Sequence, residues 1–172
     1  MMRCGQAGRV LRFETAMPLS SLLWLATAAY AVHILEEFQL DWRNWARAVV
    51  GLPVEWSDFY VVNAIVIVLG IAAANLAVAS PAIALGFPAL MLINATFFHV
   101  LPFARTRGRF SPGLLTALVL FYPIGIACYY QAAADGTLDA FALLVSVLIG
   151  AALMAAPVVL LQIKSRPYFR QE

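Results

Sequence analysis

The segment LDAFALLVSVLIGAALMAAPVVLLQ, residues 138–162, contains one charged side chain, Asp139, in 25 residues. A helix that crosses the hydrocarbon core of a bilayer needs about 20 consecutive, mostly apolar residues. The rest of the chain has the same character, because 63% of its 172 residues are hydrophobic and 12% are charged. Soluble domains have roughly 45–50% apolar and about 25% charged residues. The composition therefore predicts an integral membrane protein.

Four further segments meet the same length and hydropathy requirement. The predicted spans are residues 19–38, 59–79, 82–103, 113–133 and 138–162. Helices satisfy their own backbone hydrogen bonds in lipid, and short connections make successive helices antiparallel neighbours. We therefore predict an all-α, polytopic membrane helix bundle of about five transmembrane helices in residues 19–163. An N-terminal tail, residues 1–18, and a basic C-terminal tail, residues 164–172, flank this domain.

The connector between the first two spans, residues 41–57 (DWRNWARAVVGLPVEWS), contains three of the four tryptophans. Its apolar side chains recur at three- and four-residue spacing: Trp42, Trp45, Val49 and Leu52. Amphipathic helices with tryptophan anchors lie in the headgroup plane of a bilayer. This pattern predicts an interfacial helix over about residues 41–56.

Basic residues are distributed unequally between the two sides that five spans define. The connector, the loop after the third span and the C-terminal tail share one side, which carries eight of them: Arg43, Arg47, Arg105, Arg107, Arg109, Lys164, Arg166 and Arg170. The other side carries Arg3, Arg9 and Arg12, or none if translation begins at Met17. The positive-inside rule then predicts an external N-terminus and a cytoplasmic C-terminus, in an inner or plasma membrane. The net charge of +2 reflects topology, and no nucleic-acid partner is expected.

The first span also fits a second interpretation. A basic tail, an apolar run and the small-residue sequence AYA at residues 29–31 are the parts of a cleavable secretory signal. Cleavage there would leave His33 and the glutamates at a new N-terminus, and we favour the uncleaved span. Cys4 and Cys128 are not spaced for a disulfide or a zinc framework.

Polar residues of four spans are predicted at one depth, near the cytoplasmic end. HILEE, residues 33–37, places Glu36 at i+3 and Glu37 at i+4 from His33, on one broad helix face. The later spans add residues from their ends on the same side: Asn63, Asn94, His99 and Thr116. Asn94 and His99 are separated by five positions and are expected on roughly one face.

Ionisable residues in a span cost roughly 2.5–3.5 kcal/mol each on insertion scales, face the bundle interior and mark function. A single buried histidine or asparagine is more often an interior hydrogen-bonding group. Two neighbouring carboxylates in a low-dielectric site, however, repel each other unless a proton or cation offsets their charge. The combination therefore indicates a bound cation.

The order of these motifs resembles the HXXEE family of small multi-span membrane proteins. The resemblance rests on HILEE at residues 33–37, NAIV at 63–66, NATFFH at 94–99 and RGRFSPGLLTAL at 107–118, and covers residues 24–123. The residues that match the family pattern are His33, Glu36, Glu37, Asn94, His99, Pro112 and Gly113. The family has no assigned reaction, so the resemblance implies a fold and a site but no activity.

Two imidazoles and one carboxylate are the ligands of His₂Glu zinc hydrolases and of the two-histidine, one-carboxylate iron oxygenases. We predict a divalent metal, zinc or iron, bound by His33, Glu37 and His99. Glu37 is preferred because its i+4 offset leaves it about 40° around the helix from His33, against about 60° for Glu36. Glu36 is predicted to be the catalytic base that acts on a metal-bound water.

Supporting roles follow for the remaining polar residues: Asn63, Asn94 and Thr116 are expected to orient ligands or substrate. A di-iron site is less well supported, because such sites normally take four carboxylates. A serine nucleophile is also less well supported, because no histidine precedes or follows Ser57 or Ser111 at a spacing that indicates a catalytic pair.

The sequence thus predicts an intramembrane metal-dependent enzyme, of hydrolase or oxygenase type, that acts on a lipid-like or apolar small molecule. The loop residues Arg105, Arg107 and Arg109 are candidates for binding an anionic headgroup, although a topological signal explains them more simply. Two other functions stay open, an ion- or proton-coupled carrier and a structural membrane subunit. Five spans without an inverted repeat argue against the carrier.

Overall fold

The structure, a computed structural model, describes residues 17–166 and 168. Those residues form six helices and no strand. The helices are α1 (Leu19–Gln39), α2 (residues 42–50), α3 (Trp56–Leu76), α4 (Pro81–Arg105), α5 (Leu114–Ala134) and α6 (Ala140–Lys164). All but α2 are long and apolar enough to cross a membrane, so the predicted all-α membrane bundle is confirmed.

The second span begins and ends three residues earlier than the predicted range 59–79, because α3 runs from Trp56 to Leu76. Its first turn is stabilised by the backbone N–H of Glu55, which donates to Asp58 Oδ2 over 3.1 Å. The predictions about Arg3, Arg9, Arg12, Cys4 and Arg170 concern residues outside the described part of the chain. Cys128 is buried in α5 as a free thiol.

Four helix–helix contacts form the body of the bundle. α1 packs on α3 and α5, and α4 packs on α5 and α6. Small residues permit close approach of the helices. At Gly150 on α6, an added Cβ would lie 2.6 Å from the Cβ of Ala89 on α4. Fully buried apolar side chains such as Leu23, Met91 and Phe121 fill the interior between these helices.

Two of the spanning helices depart from regular α-helical geometry near the same end of the bundle. α4 contains a π-helical turn at Ala95–Val100, and α5 contains one at Ala117–Phe121. Each turn is followed closely by a proline, Pro102 or Pro123, whose ring nitrogen cannot donate to the helix ladder. π-helical turns are frequent at functional sites, and both of these lie beside the histidines described below.

The connector folds as a short helix, Trp42–Trp45, that continues into a π-helical turn, Ala46–Val50. Arg43 and Arg47 both form ion pairs with Glu55, and they hold the pKa of that exposed carboxyl below its usual value. Trp45, Val54 and Leu161 form a small apolar cluster that attaches the connector to the end of α6. The predicted helix is therefore present over part of residues 41–56, and its position in the headgroup plane stays a prediction.

Candidate metal centre

The three predicted ligands lie together in the bundle interior. α1 supplies His33 and Glu37 one turn apart, and the π-helical turn of α4 supplies His99. Glu37 Oε1 lies 3.5 Å from Nε2 of His33 and 3.5 Å from Nε2 of His99. Both imidazoles are fully buried, and Glu37 is buried as well. The three ligand atoms lie within 4.8 Å of one another, close enough to bind one metal ion.

These separations suit direct coordination. In a tetrahedral zinc site with bonds of about 2.0–2.1 Å, neighbouring ligand atoms are about 3.3–3.4 Å apart. The two 3.5 Å separations between Glu37 and the histidines are close to that value. Asn94 Oδ1 adds a further oxygen at 3.1 Å from His99 Nε2. The two Glu37–histidine separations therefore match those of a divalent metal site, and all three ligand atoms lie within 4.8 Å of one another.

The proton on His33 is placed by a hydrogen-bonded chain that runs through Thr116 to Glu36. Thr116 Oγ1 lies 2.6 Å from Glu36 Oε2 and 2.7 Å from His33 Nδ1. A carboxylate only accepts hydrogen bonds, so the hydroxyl donates to Glu36 and accepts from Nδ1–H of His33. Nε2 of His33 then presents a lone pair, and this buried atom has no hydrogen-bond partner among the described residues. Metal-ligating histidines characteristically donate their other ring nitrogen in this way.

Ser111 gives His99 a comparable partner. Its hydroxyl is fully buried, lies 3.1 Å from Nδ1 of His99 and is 3.2 Å from the carbonyl oxygen of Phe98. Pro102 has no N–H to offer that carbonyl, which is four residues earlier in α4. When the hydroxyl donates to Phe98, it accepts from Nδ1–H of His99, and Nε2 then has a lone pair for a metal ion; in the other tautomer, Nε2–H donates to Asn94 Oδ1. Sequence spacing gave no signal for this contact, because Ser111 lies beyond the end of α4.

Gly113 forms the wall beside both imidazoles. Its φ of 92° is in the left-handed region, where side chains other than hydrogen are disfavoured. A Cβ at this position would lie 2.5 Å from Cε1 of His99 and 2.7 Å from Cε1 of His33. Glycine is thus required for space as well as for conformation. Gly113 was absent from the predicted site, although the SPG motif that contains it contributed to the family resemblance.

The π-helical turn explains how Asn94 reaches His99. Residues five apart on a regular α-helix differ by about 140° in direction, so the expectation of a shared face does not hold for regular geometry. The i→i+5 pattern of the π-helical turn brings the two residues to the same side. Asn94 is buried, and its Oδ1 lies beside His99 Nε2 as described above.

Glu36 does not face the histidines. Its carboxylate accepts hydrogen bonds from backbone N–H groups at the start of α5, those of Leu115 at 3.2 Å and Thr116 at 2.8 Å, and from the N–H of the preceding residue, Gly113, at 3.1 Å. Helix N-termini bind anions through such unpaired N–H groups. Together with the Thr116 hydroxyl, these contacts use both oxygens of Glu36. This placement does not favour the predicted role of Glu36 as a general base.

The other predicted site residues separate into two groups. Asn63 and Asn94 line a cavity of about 70 Å³ together with Glu37, Tyr30 and Trp42. Arg105, Arg107 and Arg109 are exposed at the end of α4 and in the loop that follows. They do not line this cavity, so the structure does not bring them to the histidines.

Comparison with known proteins agrees with the motif pattern. The family described as proteins of unknown function with an HXXEE motif matches residues 24–128, which is more than half of the chain. Neither the curated proteins nor the solved structures give a significant match. In the matched region, the histidine of the motif is His33, and its last glutamate, Glu37, is the carboxylate that lies beside both imidazoles. The chain belongs to the HXXEE family.

Proposed function

We propose that the protein is an intramembrane metal-dependent enzyme in which His33, Glu37 and His99 bind one zinc or iron ion. The observation that carries this proposal is Nε2 of His33, a buried acceptor without a hydrogen-bond partner among the described residues. It shares a small space with a carboxylate and a second imidazole. Three such groups in a low-dielectric interior are stable together when a cation or a proton lies between them.

The two glutamates of the motif have different tasks in this proposal. Glu37 is the metal ligand, because its Oε1 lies equally close to both histidines. Glu36 is a positioning residue, because it holds Thr116, which in turn holds His33 Nδ1. When bound, zinc would supply Lewis acidity and iron would supply redox chemistry. The chain itself fixes the ligands, excludes bulk water and presents Asn63 and Asn94 to a substrate.

The substrate class follows from the surroundings of the site. The cavity beside Glu37 is lined largely by apolar side chains such as Phe98, Met154 and Val158, with a few polar groups. A mostly apolar pocket with a small number of polar groups is typical of small-molecule sites. In five spanning helices, such a pocket suits a lipid-like or apolar substrate that arrives through the bilayer. We place the site toward the cytoplasmic leaflet, because it lies near the helix ends that carry most of the basic residues, and basic residues mark the cytoplasmic side.

Elemental analysis of the detergent-purified protein tests the metal site. We expect about one equivalent of zinc or iron in the unmodified protein and a large loss in Glu37→Gln. The matched control is Glu55→Gln, which changes a glutamate outside the site and should leave the metal content unchanged. A protein without bound zinc or iron, even after incubation with either ion, would contradict the proposal.

Lipid analysis separates an enzyme from the other two functions. Protein loaded with metal is reconstituted in vesicles of mixed bacterial-type lipids, and the lipid species are compared by mass spectrometry before and after incubation. An enzyme should change the abundance of a lipid, and Glu37→Gln should not. Uptake of zinc or protons into the vesicles without any lipid change would instead indicate a carrier. The absence of both lipid change and ion uptake would indicate a structural subunit.

A further inference from the structure

A long groove separates α3 from α6. It has a volume of about 770 Å³ and is lined almost entirely by apolar side chains, among them Ile65, Leu69, Leu153 and Leu160. Its polar residues lie at one end: Ser57, Asp58 and Lys164. From Ser57 to Leu69 the wall formed by α3 is about 18 Å long at 1.5 Å per residue. The groove therefore has the shape of an elongated apolar slot with one charged end.

The charged end of the groove is closed by an ion pair. Lys164 Nζ donates to Asp58 Oδ1 over 2.6 Å, joining the first turn of α3 to the last turn of α6. Asp58 lies only three residues from Glu55, which both connector arginines contact. The pair thus stands where the apolar spans meet the polar connector. An amphiphile in the groove would have its polar end at this level and its chain along the slot.

The groove adjoins the cavity that Glu37 lines. It shares four lining residues with the cavity beside Glu37: Asp58, Val62, Pro157 and Leu161. That cavity also borders Trp42, whose indole N–H is buried and has no acceptor among the described residues. Buried indole N–H groups usually have a hydrogen-bond partner. An oxygen atom of a substrate placed between Trp42 and Glu37 would provide one.

We infer that the groove between α3 and α6 binds the hydrocarbon chain of a membrane amphiphile and guides its polar end to the metal centre. Because both helices are long enough to span a bilayer, the open side of the groove faces the acyl chains of the surrounding lipid. An acyl chain from the surrounding lipid is therefore the expected occupant of the groove. This inference rests on the proposed function for the identity of the site and adds the substrate class, a long-chain amphiphile, and its route.

Photolabelling with a diazirine-bearing palmitic acid tests the groove. The protein is reconstituted in phosphatidylcholine vesicles, labelled with and without excess unlabelled palmitic acid, and mapped by mass spectrometry. We expect saturable labelling of α3 and α6 peptides that line the groove. Ala156→Phe, which fills the groove, should reduce the saturable part at least fivefold. The matched control is Ala155→Phe, the neighbouring alanine on α6 outside the groove, which should retain it.

A second pair of variants guards against a folding defect in Ala156→Phe. Ile65→Trp fills the groove from α3, whereas Val68→Trp enlarges an exposed side chain of the same helix outside the groove. The first should lose saturable labelling and the second should keep it. Labelling that does not saturate, or that is equal in each pair, would overturn the inference. A change of oligomeric state in Ala156→Phe and Ile65→Trp alone would also overturn it, because the groove would then be a protein interface.

Metal content measured on the same samples keeps the two proposals separate. Saturable labelling of the groove in a protein without zinc or iron would defeat the proposed enzyme and retain the lipid-binding groove. Bound metal without saturable labelling would retain the metal centre and reject the groove.

Discussion

The hydroxyl of Thr116 donates to the carboxylate of Glu36 over 2.6 Å and thereby fixes which nitrogen of His33 carries the proton. One side chain near the start of α5 thus determines how α1 presents a candidate metal ligand. Residues that orient a ligating histidine commonly affect metal affinity by about 10- to 100-fold.

We therefore predict that Thr116→Val lowers metal affinity by about 10- to 100-fold. Valine has nearly the shape of threonine but cannot accept from Nδ1–H of His33 or donate to Glu36. Competition with a chelator of known affinity measures the effect. Thr116→Ser keeps the hydroxyl and should restore most of the affinity. Equal affinities in the valine variant and the unmodified protein would show that the hydrogen-bonded chain does not orient His33.

The two glutamates of the motif should respond in opposite ways to neutralisation. Glu37→Gln should lose bound metal, because it removes the ligand charge between the two imidazoles. Glu36→Gln should retain most of the metal but unfold more easily, because a charged acceptor of α5 backbone N–H groups is lost. Hydrogen bonds to a charged group contribute about 1.5–3 kcal/mol.

The stabilities of the two variants should also differ in metal-free samples. With a chelator present, Glu37→Gln should be at least as stable as the unmodified protein, because a buried carboxylate without a cation is unfavourable. Glu36→Gln should remain less stable under the same conditions. Thermal unfolding in detergent provides the measurement, and the assignment of roles fails if the two variants show the same pattern.

Gly113→Ala should impair the metal centre even though it adds one carbon atom. The new Cβ would overlap Cε1 of both histidines, so the imidazoles have to separate. The control is Gly108→Ala in the same loop, which has a similar φ of 94° and where the nearest atom to an added Cβ is 3.9 Å away, on the Phe103 ring. Both variants bear the conformational cost of a side chain at positive φ, but only Gly113→Ala should lose metal. Loss of metal in both would attribute the effect to the loop backbone.

Much of the fold could be predicted from the sequence, because spanning helices are specified by length and hydropathy alone. The candidate ligand group of His33, Glu37 and His99 could also be predicted, since the spacing of the first two is local and the third lies at the same depth in the third span, which runs in the same direction as α1 when successive helices are antiparallel. The contacts of Ser111 and Gly113 could not. They depend on the path of the loop between α4 and α5, which sequence periodicity does not describe.

The role of Glu36 was unpredictable for a related reason. Its i+3 position indicates the face it occupies on α1, but not that the first turn of α5 points its N–H groups at that face. The π-helical turn at Ala95–Val100 is likewise not apparent from residue types. Without that turn, Asn94 and His99 would lie on different sides of α4.

The connector should show a pH-dependent contribution to stability. Arg43 and Arg47 lower the pKa of Glu55 in the folded protein, chiefly through hydrogen bonds to its carboxylate. A carboxyl whose folded pKa lies below its unfolded value of about 4.3 stabilises the protein above that pH. The contribution is lost as the pH falls through the folded pKa.

Glu55→Gln should therefore lower the unfolding temperature at pH 7. The difference from the unmodified protein should shrink as the pH is reduced below about 4.3. Thermal unfolding in detergent across this range checks the prediction. A difference that does not depend on pH would mean that the side chain acts through packing and not through its charge.

The orientation in the membrane is the last prediction. Eight of the eleven basic residues belong to the connector, the loop after α4 and the C-terminal region, and loops rich in arginine and lysine remain in the cytoplasm. A reporter that is active only in the cytoplasm should be active when fused after Glu172 and inactive when inserted at Asp135, between α5 and α6. The reverse pattern would place the candidate metal centre and the charged end of the groove at the outer leaflet. The substrate would then have to be supplied from that side of the membrane.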